Sequence, residues 1–512
     1  MGALREIELK LLLHEGDADR LLASDAVRDR AEGVVTVRTL ESTYFDTPDA
    51  DFRAAGIAVR LRNTGSGWVQ TVKQADGPMI SGLSSPVEAE CQLDSPALAL
   101  GRIADHDLRE LVIGLARKGL SPVAETRFER ISQILRAPLG GRVELAVDQG
   151  ELRSGGRAEP FVEAELELLE GDPADLYALA GALFTRGPIR FSSQSKSERA
   201  LRLHEDGATA PALRKYRPVM LDKAQTVEEA AQAVLSENIA HATANLARVI
   251  DEDDIHGPHQ LRVGLRRLRS SLSAFRPALG REAVAPWAAQ ARDLATEAGR
   301  LRDMDVLSRL VVKLSRKALK EPGFVRLIDD IATRREVVRA EVRATLAGAG
   351  PTAFCFGFPG FLARRGWRSG QSMRLDAPVL PFARQALKKR WKSVRPYGTR
   401  VDTLTIDERH EMRKELKKLR YAADAFHCLF DAEAVAAFQA GVKRLQKAFG
   451  ALNDSAMAEM MLTAADAPGA GDMAAQRAAG RIIGHLTSEA DRLWPEAIAG
   501  WQVLAARHPF WD

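Results

Sequence analysis

The sequence predicts a chain of two unlike parts, a strand-rich first 200 residues followed by an all-helical remainder. Three observations carry that division. Residues 1–203 hold short segments of alternating polar and apolar character, from EIELK (6–10) through IAVRLRN, WVQTVKQ, VEAECQL, TRFERISQIL, VELAVDQGEL and FVEAELELLEG. This is the period-2 pattern of strands. Beyond about residue 220 the pattern is helical and rich in Ala, Leu, Arg and Glu. Within that part HQLRVGLRRLRSSLSAF (259–275) returns as HEMRKELKKLRYAADAF (410–426) at an offset of 151, a register that also aligns GRLRD (299–303) with GALND (450–454). A repeat held without a gap reads as two homologous helical units, each a small bundle.

Composition narrows the class. At 512 residues the chain exceeds a single core, and 46% apolar with 28% charged residues is ordinary for folded protein. Cys91, Cys355 and Cys428 lie far apart with no metal-ligand spacing, which argues against a disulfide framework or structural zinc. Arg5, Glu6, Glu8 and Lys10 exclude the uncharged core of a signal peptide, and no run approaches the roughly 18 apolar residues of a membrane span. A cytoplasmic protein without a membrane partner is expected. The net charge of +4 conceals an asymmetry: residues 1–205 hold 25 Lys+Arg against 33 Asp+Glu, and the remainder 48 against 36. The acidic part suits cations and the basic part a polyanion.

Element by element, helical interruptions are expected in the first part at 17–30, 101–118 and 173–186, with turns at NTGSG and QADGP. The small-residue run near EDGATAPALRKYRP marks a linker over 204–219. A second break from about 348 to 381 divides the helical part into halves at about 220–347 and 382–505.

The strands of the first part carry charges on single faces. Glu6, Glu8 and Lys10 alternate with Ile7, Leu9 and Leu11; Arg60 and Arg62 lie two apart, as do Glu88 and Glu90, and Glu163, Glu165 and Glu167. Glu144 and Asp148 lie four apart, and Lys73, Arg127, Arg130 and Lys196 add cations on neighbouring segments. A solvated polar face explains any one of these strands. Five of them favour a shared charged interior, in which acids bind divalent cations while bases hold a phosphate chain.

These residues resemble the CYTH, or triphosphate tunnel metalloenzyme, superfamily. EIELK matches its ExExK signature, and YFDTPD, RLR, TVKQ, VELAVDQGEL, EAELEL and SKSERAL follow in the family's order across nearly all of 1–203. The resemblance implies an eight-stranded antiparallel β-barrel forming a tunnel, with metal-dependent hydrolysis or cyclisation of triphosphates. It assigns metal binding to Glu6, Glu8, Asp148, Glu163 and Glu165, with Glu88 and Glu90 as a further acidic pair. It assigns the triphosphate to Lys10, Arg60, Arg62, Lys73, Arg127 and Lys196, and proton transfer to Lys10 or Lys73. The expected cofactor is Mg²⁺ or Mn²⁺. One departure is that SSPVEAE lacks the Arg that many relatives carry just before the acidic pair.

In the basic part each repeat places His, then Arg at +3, Arg or Lys at +7 and Arg at +10, a single stripe along a helix. Leu265, Leu268 and Phe275, or Leu416, Leu419 and Phe426, supply the apolar face. This part resembles the CHAD domain over roughly 220–505, with LRDMDVL similar to that family's RDxDV motif. The resemblance implies two four-helix bundles related by a pseudo-twofold axis, with a basic channel for inorganic polyphosphate. His259, Arg262, Arg266, Arg269, His410, Arg413, Lys417 and Arg420 are the residues it assigns there. The second copy is looser: NDSAM replaces RDMDV, so Asp305 faces Ala456 in the alignment. Asp303 and Asp454 read as structural.

The expected architecture is therefore a multidomain α+β chain, with a triphosphate barrel over 1–203 and a helical polyphosphate-binding domain over 220–505. The expected activity is hydrolysis of inorganic triphosphate to pyrophosphate and phosphate, with association to polyphosphate granules. Two alternatives stand beside it: a polyphosphate-binding protein with a regulatory barrel, and a barrel acting on thiamine triphosphate or a nucleotide, including adenylate cyclisation. Nucleic acid is disfavoured, because aromatic content is only 6% and few aromatics interleave with the cations.

Overall fold

The computed structural model describes residues 4–75, 81–192, 194–206, 213–315, 321–368 and 374–512. Parts of the QADGP turn, the linker (207–212) and the RSGQ stretch (369–371) lie outside them. The chain divides into two compact units, Met1–Arg214 with Ala347–Gly366, and Lys215–Leu346 with Trp367–Asp512.

The strands of the first unit are β1 (Leu4–Arg5), β2 (Glu8–Leu12), β3 (Ala31–Asp46), β4 (Ile57–Asn63), β5 (Trp68–Gln74), β6 (Leu83–Ser84), β7 (Val87–Leu93), β8 (Ser121–Arg136), β9 (Arg142–Ser154), β10 (Arg157–Glu170) and β11 (Arg190–Phe191). They form one antiparallel sheet in the order β1-β7-β5-β4-β3-β8-β9-β10-β2-β11, with β6 also on β2. β1 and β2 are two pieces of one N-terminal stave. The first pairs with β7 and the second with β10, so the path closes on itself. The closed circuit has eight staves: this N-terminal segment and β3, β4, β5, β7, β8, β9 and β10.

Closure gives each stave an inner and an outer face, and helices decide which is which. The helices here are α1 (Asp17–Leu22), α2 (Asp25–Arg28), α3 (Asp51–Ala54), α4 (His106–Leu115), α5 (Pro173–Leu183) and α6 (Lys196–Asp206). Ile57, Val59 and Val72 on β4 and β5 pack with Phe52 of α3 and with Leu108 and Val112 of α4. Leu9 and Leu11 of β2 are buried on that same outer side. The opposite parity, carrying Glu8 and Lys10, therefore points inward.

The inward parity also carries an apolar plug beside α6. Leu40, Tyr44, Phe128, Leu152 and Phe161 meet Ala200 of α6. Gly150 sits directly between Phe128 and Phe161 across the strands, and the two rings meet edge to face at 5.7 Å. A Cβ at Gly150 would stand 2.1 Å from the Arg127 carbonyl oxygen, so the strand interior has no room for a side chain here.

The second unit contains α7 (Val227–Asp251), α8 (His256–Leu279), α9 (Arg281–Ser315) and α10 (Pro322–Leu346). After α11 (Ala349–Ala363) come α12 (Val379–Gly398), α13 (Ile406–Phe426), α14 (Ala432–Thr463) and α15 (Met473–Ala505). Helices α7–α10 begin at 227, 256, 281 and 322, and α12–α15 at 379, 406, 432 and 473. The repeat is thus four helices against four. Thr226 and Pro378 form an isolated antiparallel bridge at equivalent helix starts, Val227 N donating to Ala377 O and Val379 N to Gln225 O. The halves share a core of Leu307, Val311, Leu327, Ile331, Ile482 and Leu486 among others. Helix α11, within the break read from the sequence, belongs to the first unit. Its Thr352 donates to the Gly187 carbonyl, and Phe356 packs with Phe184 and Phe191. No single helix among the described residues is long and apolar enough to cross a membrane.

Candidate functional site

The inward face of the barrel brings its charges into one network. Cross-strand register aligns Lys10 with Glu165, Glu163 with Asp148, Asp148 with Arg130, and Lys73 with Glu88. Around the plug, Lys196 at the start of α6 reaches Glu163 (2.6 Å), Glu165 (2.7 Å) and Asp148 (2.8 Å). Arg130 forks onto Asp148 with two bonds of 2.7 Å and also contacts Glu165. Arg199 reaches Glu163 at 3.1 Å, and Lys10 lies 2.9 Å from Glu8 and 3.0 Å from Glu165. Farther along, Lys73 contacts Glu6 and lies 3.0 Å from Glu88. Arg60 lies 3.8 Å from Glu88 and 3.5 Å from Glu90, while Arg62 donates to Ser42 at 2.9 Å.

Electrostatics separates two groups of acids. Burial opposes ionisation of Glu165, but Lys10, Lys196 and Arg130 hold it well below the carboxylate range. Burial pushes Glu163 up despite Lys196. On the other side, burial and then Glu6 and Glu144 push Glu167 up to about 7. Glu88 rises to about 8 through burial and a shared hydrogen bond with Glu6. For Glu6 that bond and Lys73 outweigh burial and lower it to about 2. The two carboxyls hold one proton between them. Burial works against charge on both lysines, yet Glu165 and Glu8 raise Lys10, and Glu8 and Glu6 raise Lys73. Both stay protonated, which suits phosphate binding and not proton acceptance.

Glu6, Glu8, Lys10, Arg60, Arg62, Lys73, Glu88, Glu90, Asp148, Glu163, Glu165 and Lys196 therefore share the tunnel. Arg127 does not join them. Its side chain is 64% exposed on the outer face of β8, paired with Glu41 at 3.2 Å. One strand residue sets the parity, and Arg130 is the cation that β8 sends inward. Arg130, Arg199, Glu144 and Glu167 went unassigned in the sequence. Glu167 was legible as the third acid of EAELEL, whereas Arg199 needed the placement of α6.

In the helical unit, α8, α9 and α13 bring cations together. The charges of Arg262, Arg266 and Arg413 act on Lys417, which burial and those neighbours lower to about 6. Burial, Arg266 and Arg262 likewise lower Arg413 to about 10, though Asp454 opposes them. His259 accepts from Arg302 Nε at 3.3 Å, and burial with Arg302, Arg266 and Arg309 lowers it to about 4. Arg262 is held by Asp303 at 2.7 Å. Arg269 neighbours Arg292 and Arg266, Arg420 donates to Gln446 at 2.8 Å, and His410 is surrounded by charges of its own helix. Those three stand at the edges of the cluster. Arg302 and Arg309 complete it; their +7 spacing on α9 was the available signal. Arg267 is structural: it stacks on Tyr216 (3.9 Å) and Tyr421 (4.8 Å) and pairs with Asp424 at 2.7 Å.

Comparison with known proteins finds a family match for each part of the chain. Residues 4–201 match the CYTH domain family, and residues 233–463 match the CHAD domain family. The chain carries a CYTH domain and a CHAD domain. An uncharacterized protein of Mycobacterium tuberculosis is 26% identical over 461 residues, covering 82% of this chain and 82% of that one. An inorganic triphosphatase of Haemophilus influenzae is 27% identical over 225 residues, covering 43% of this chain and 61% of that one. Among solved structures, the CHAD domain of the plant Ricinus communis covers 58% of this chain and 98% of its own at 23% identity, with a TM-score of 0.49.

The acids of the CYTH domain fit a hard divalent cation in kind, since every donor is a carboxylate oxygen. Among the described residues no three acidic, His or Cys side chains stand at metal-ligand spacing. Asp148, Glu163 and Glu165 are held by Lys196, Arg130, Arg199 and Lys10 instead. Glu6 and Glu8 contact Lys73 and Lys10, while burial and then the charges of Glu6 and Glu144 lift Glu167. A cation there would offset those charges.

Proposed function

We propose that the CYTH domain hydrolyses inorganic triphosphate to pyrophosphate and phosphate with Mg²⁺ or Mn²⁺, and that the CHAD domain binds inorganic polyphosphate. The observation that supports this most directly is the tunnel itself, in which acids and bases interleave on one inward face beside an apolar plug. The CYTH domain and the resemblance to an inorganic triphosphatase support hydrolysis of a triphosphate in general.

In this reading Arg60, Arg62 and Lys73 neutralise the phosphate chain from β4 and β5, and Lys10, Arg130 and Lys196 do so from the opposite wall. Glu6, Glu8, Glu144 and Glu167 would hold the cation. When bound it supplies Lewis-acid polarisation of the reacting phosphoryl group. The Glu6–Glu88 pair keeps its shared proton beside Lys73.

The basic cluster of α8, α9 and α13 supports a polyanion in the second unit. Lys417 lies among Arg262, Arg266 and Arg413 with too little acid to balance them. Few aromatic side chains accompany these cations, which favours phosphate chains over nucleic acid. The test is phosphate release from tripolyphosphate, ATP and thiamine triphosphate, with and without each metal. Metal-dependent release greatest with tripolyphosphate is expected; no release from any of them would overturn the hydrolase reading.

A further inference from the structure

The helical unit holds a cavity of about 550 Å³ between α9 and α10 that the reading above leaves unused. Its wall carries Asp305, Ser308 and Arg309 from α9 and Thr333, Arg335 and Glu336 from α10. Asp305 is buried, and its Oδ1 accepts from Arg335 Nε at 2.7 Å. Its Oδ2 has no hydrogen-bond partner among the described residues. A buried carboxylate oxygen without a donor costs free energy, and a ligand bringing an O–H or N–H would recover it.

The two arginines differ in what they leave available. Arg335 is engaged, with Asp305, with Glu336 at 3.0 Å and with Asp253 at 3.5 Å. Arg309 donates through Nε to the Asp305 carbonyl at 3.3 Å, and its Nη groups have no hydrogen-bond or ion-pair partner among the described residues. Arg309 also lies close enough to Arg302 and His259 for its charge to act on both. The cavity thus adjoins the basic cluster. It asks for a ligand that offers negative oxygens to Arg309 and Ser308, and one donor to Asp305.

Phosphate chains meet that demand at one place only. An internal phosphoryl residue presents acceptors alone. A terminal phosphate retains a second, weakly acidic proton, with a pKa of about 6, and so presents negative oxygens together with a P–OH. We infer that this cavity seats the terminal phosphate of polyphosphate, its P–OH donating to Asp305 Oδ2 while Arg309 and Ser308 hold the remaining oxygens. This rests on the polyphosphate reading and deepens it: the helical unit becomes a binder of chain ends. Asp305 has no acidic counterpart in the second repeat, where residue 456 is Ala, so each protein holds one such seat.

Calorimetry in metal-free buffer tests this on the full chain. The probes are linear polyphosphate with free ends, the same chain esterified at both ends, and orthophosphate. The tunnel contributes equally to wild type and D305N, so the difference between them isolates the cavity. Free-ended chains are expected to bind wild type about tenfold more tightly than D305N, the worth of one charge-assisted hydrogen bond. Esterified chains should bind the two proteins alike. Orthophosphate should show the same preference as free ends, but more weakly because it does not reach the basic cluster. If D305N fails to fold by circular dichroism, S308A is expected to give the same pattern with a smaller ratio, since Ser308 lines the cavity and is not part of the basic cluster. Equal loss of free and esterified chains in these variants would overturn the end seat alone. Failure of wild type to bind either chain would overturn the polyphosphate reading and this one with it.

Discussion

Lys196 Nζ lies 2.6 Å from Glu163 Oε1, and the two side chains are 6% and 0% exposed. The same ammonium also serves Asp148 and Glu165. A buried network of this kind stabilises only while complete, because removing one partner strands the others in low dielectric. K196M is therefore expected to lower unfolding free energy by about 3–5 kcal/mol, as for other broken buried ion pairs. Urea denaturation monitored by circular dichroism measures it. A change below about 1 kcal/mol, the level of an exposed pair, would contradict the burial of this network.

Arg127 and Arg130 sit three residues apart on β8 and on opposite faces. R127A is expected to keep hydrolysis of tripolyphosphate within about twofold of wild type, since it loses only an exposed pair with Glu41. R130A should lose at least about a hundredfold in kcat/KM, the scale of a deleted charge contact in a dry site. Steady-state kinetics on both variants decides. Equal losses would mean that the strand parity is wrong.

The Glu6–Glu88 pair gives stability a pH signature. Glu88 titrates at about 8 in the folded chain against an ordinary 4.5, so between these values the folded state holds the extra proton and stability falls as pH rises. Glu6, lowered to about 2, acts oppositely: stability rises with pH from about 2 to 4.5. Thermal melting of wild type and E88Q from pH 5 to 9 tests the first window. The decline should be smaller in E88Q, and parallel profiles would exclude the shared proton.

Lys417, lowered to about 6, is mostly neutral at pH 7 to 8 in the free protein. A bound polyanion favours its charged form, so binding should take up close to one proton and weaken as pH rises above about 6. Calorimetry of polyphosphate binding in buffers of different ionisation enthalpy counts that proton. K417Q should lose the uptake and retain part of the salt-dependent affinity contributed by Arg262, Arg266 and Arg413. Uptake unchanged in K417Q would assign the proton elsewhere.

How much of this was legible beforehand follows from what each pattern constrains. Period-2 alternation in EIELK, VEAEC and EAELEL determines which residues share a face, and the offset of 151 determines that two helical units repeat. Both are local properties of the chain; closure into an eight-stranded barrel and four helices per repeat were expected only from the resemblance to the CYTH and CHAD families, because neither alternation nor an offset fixes pairing partners. Alternation does not say which face turns inward. That was decided by α3 and α4, whose Phe52, Leu108 and Val112 cover the apolar side of β4 and β5 and leave charge to the interior. The place of Arg130 inside and Arg127 outside depends on the register of β8 with β9, set by pairing partners distant in sequence. Arg199, Arg302 and Arg309 became part of their sites only through helix packing. The orphaned oxygen of Asp305 is more remote still, because an unmet hydrogen bond exists only once every neighbour has been placed.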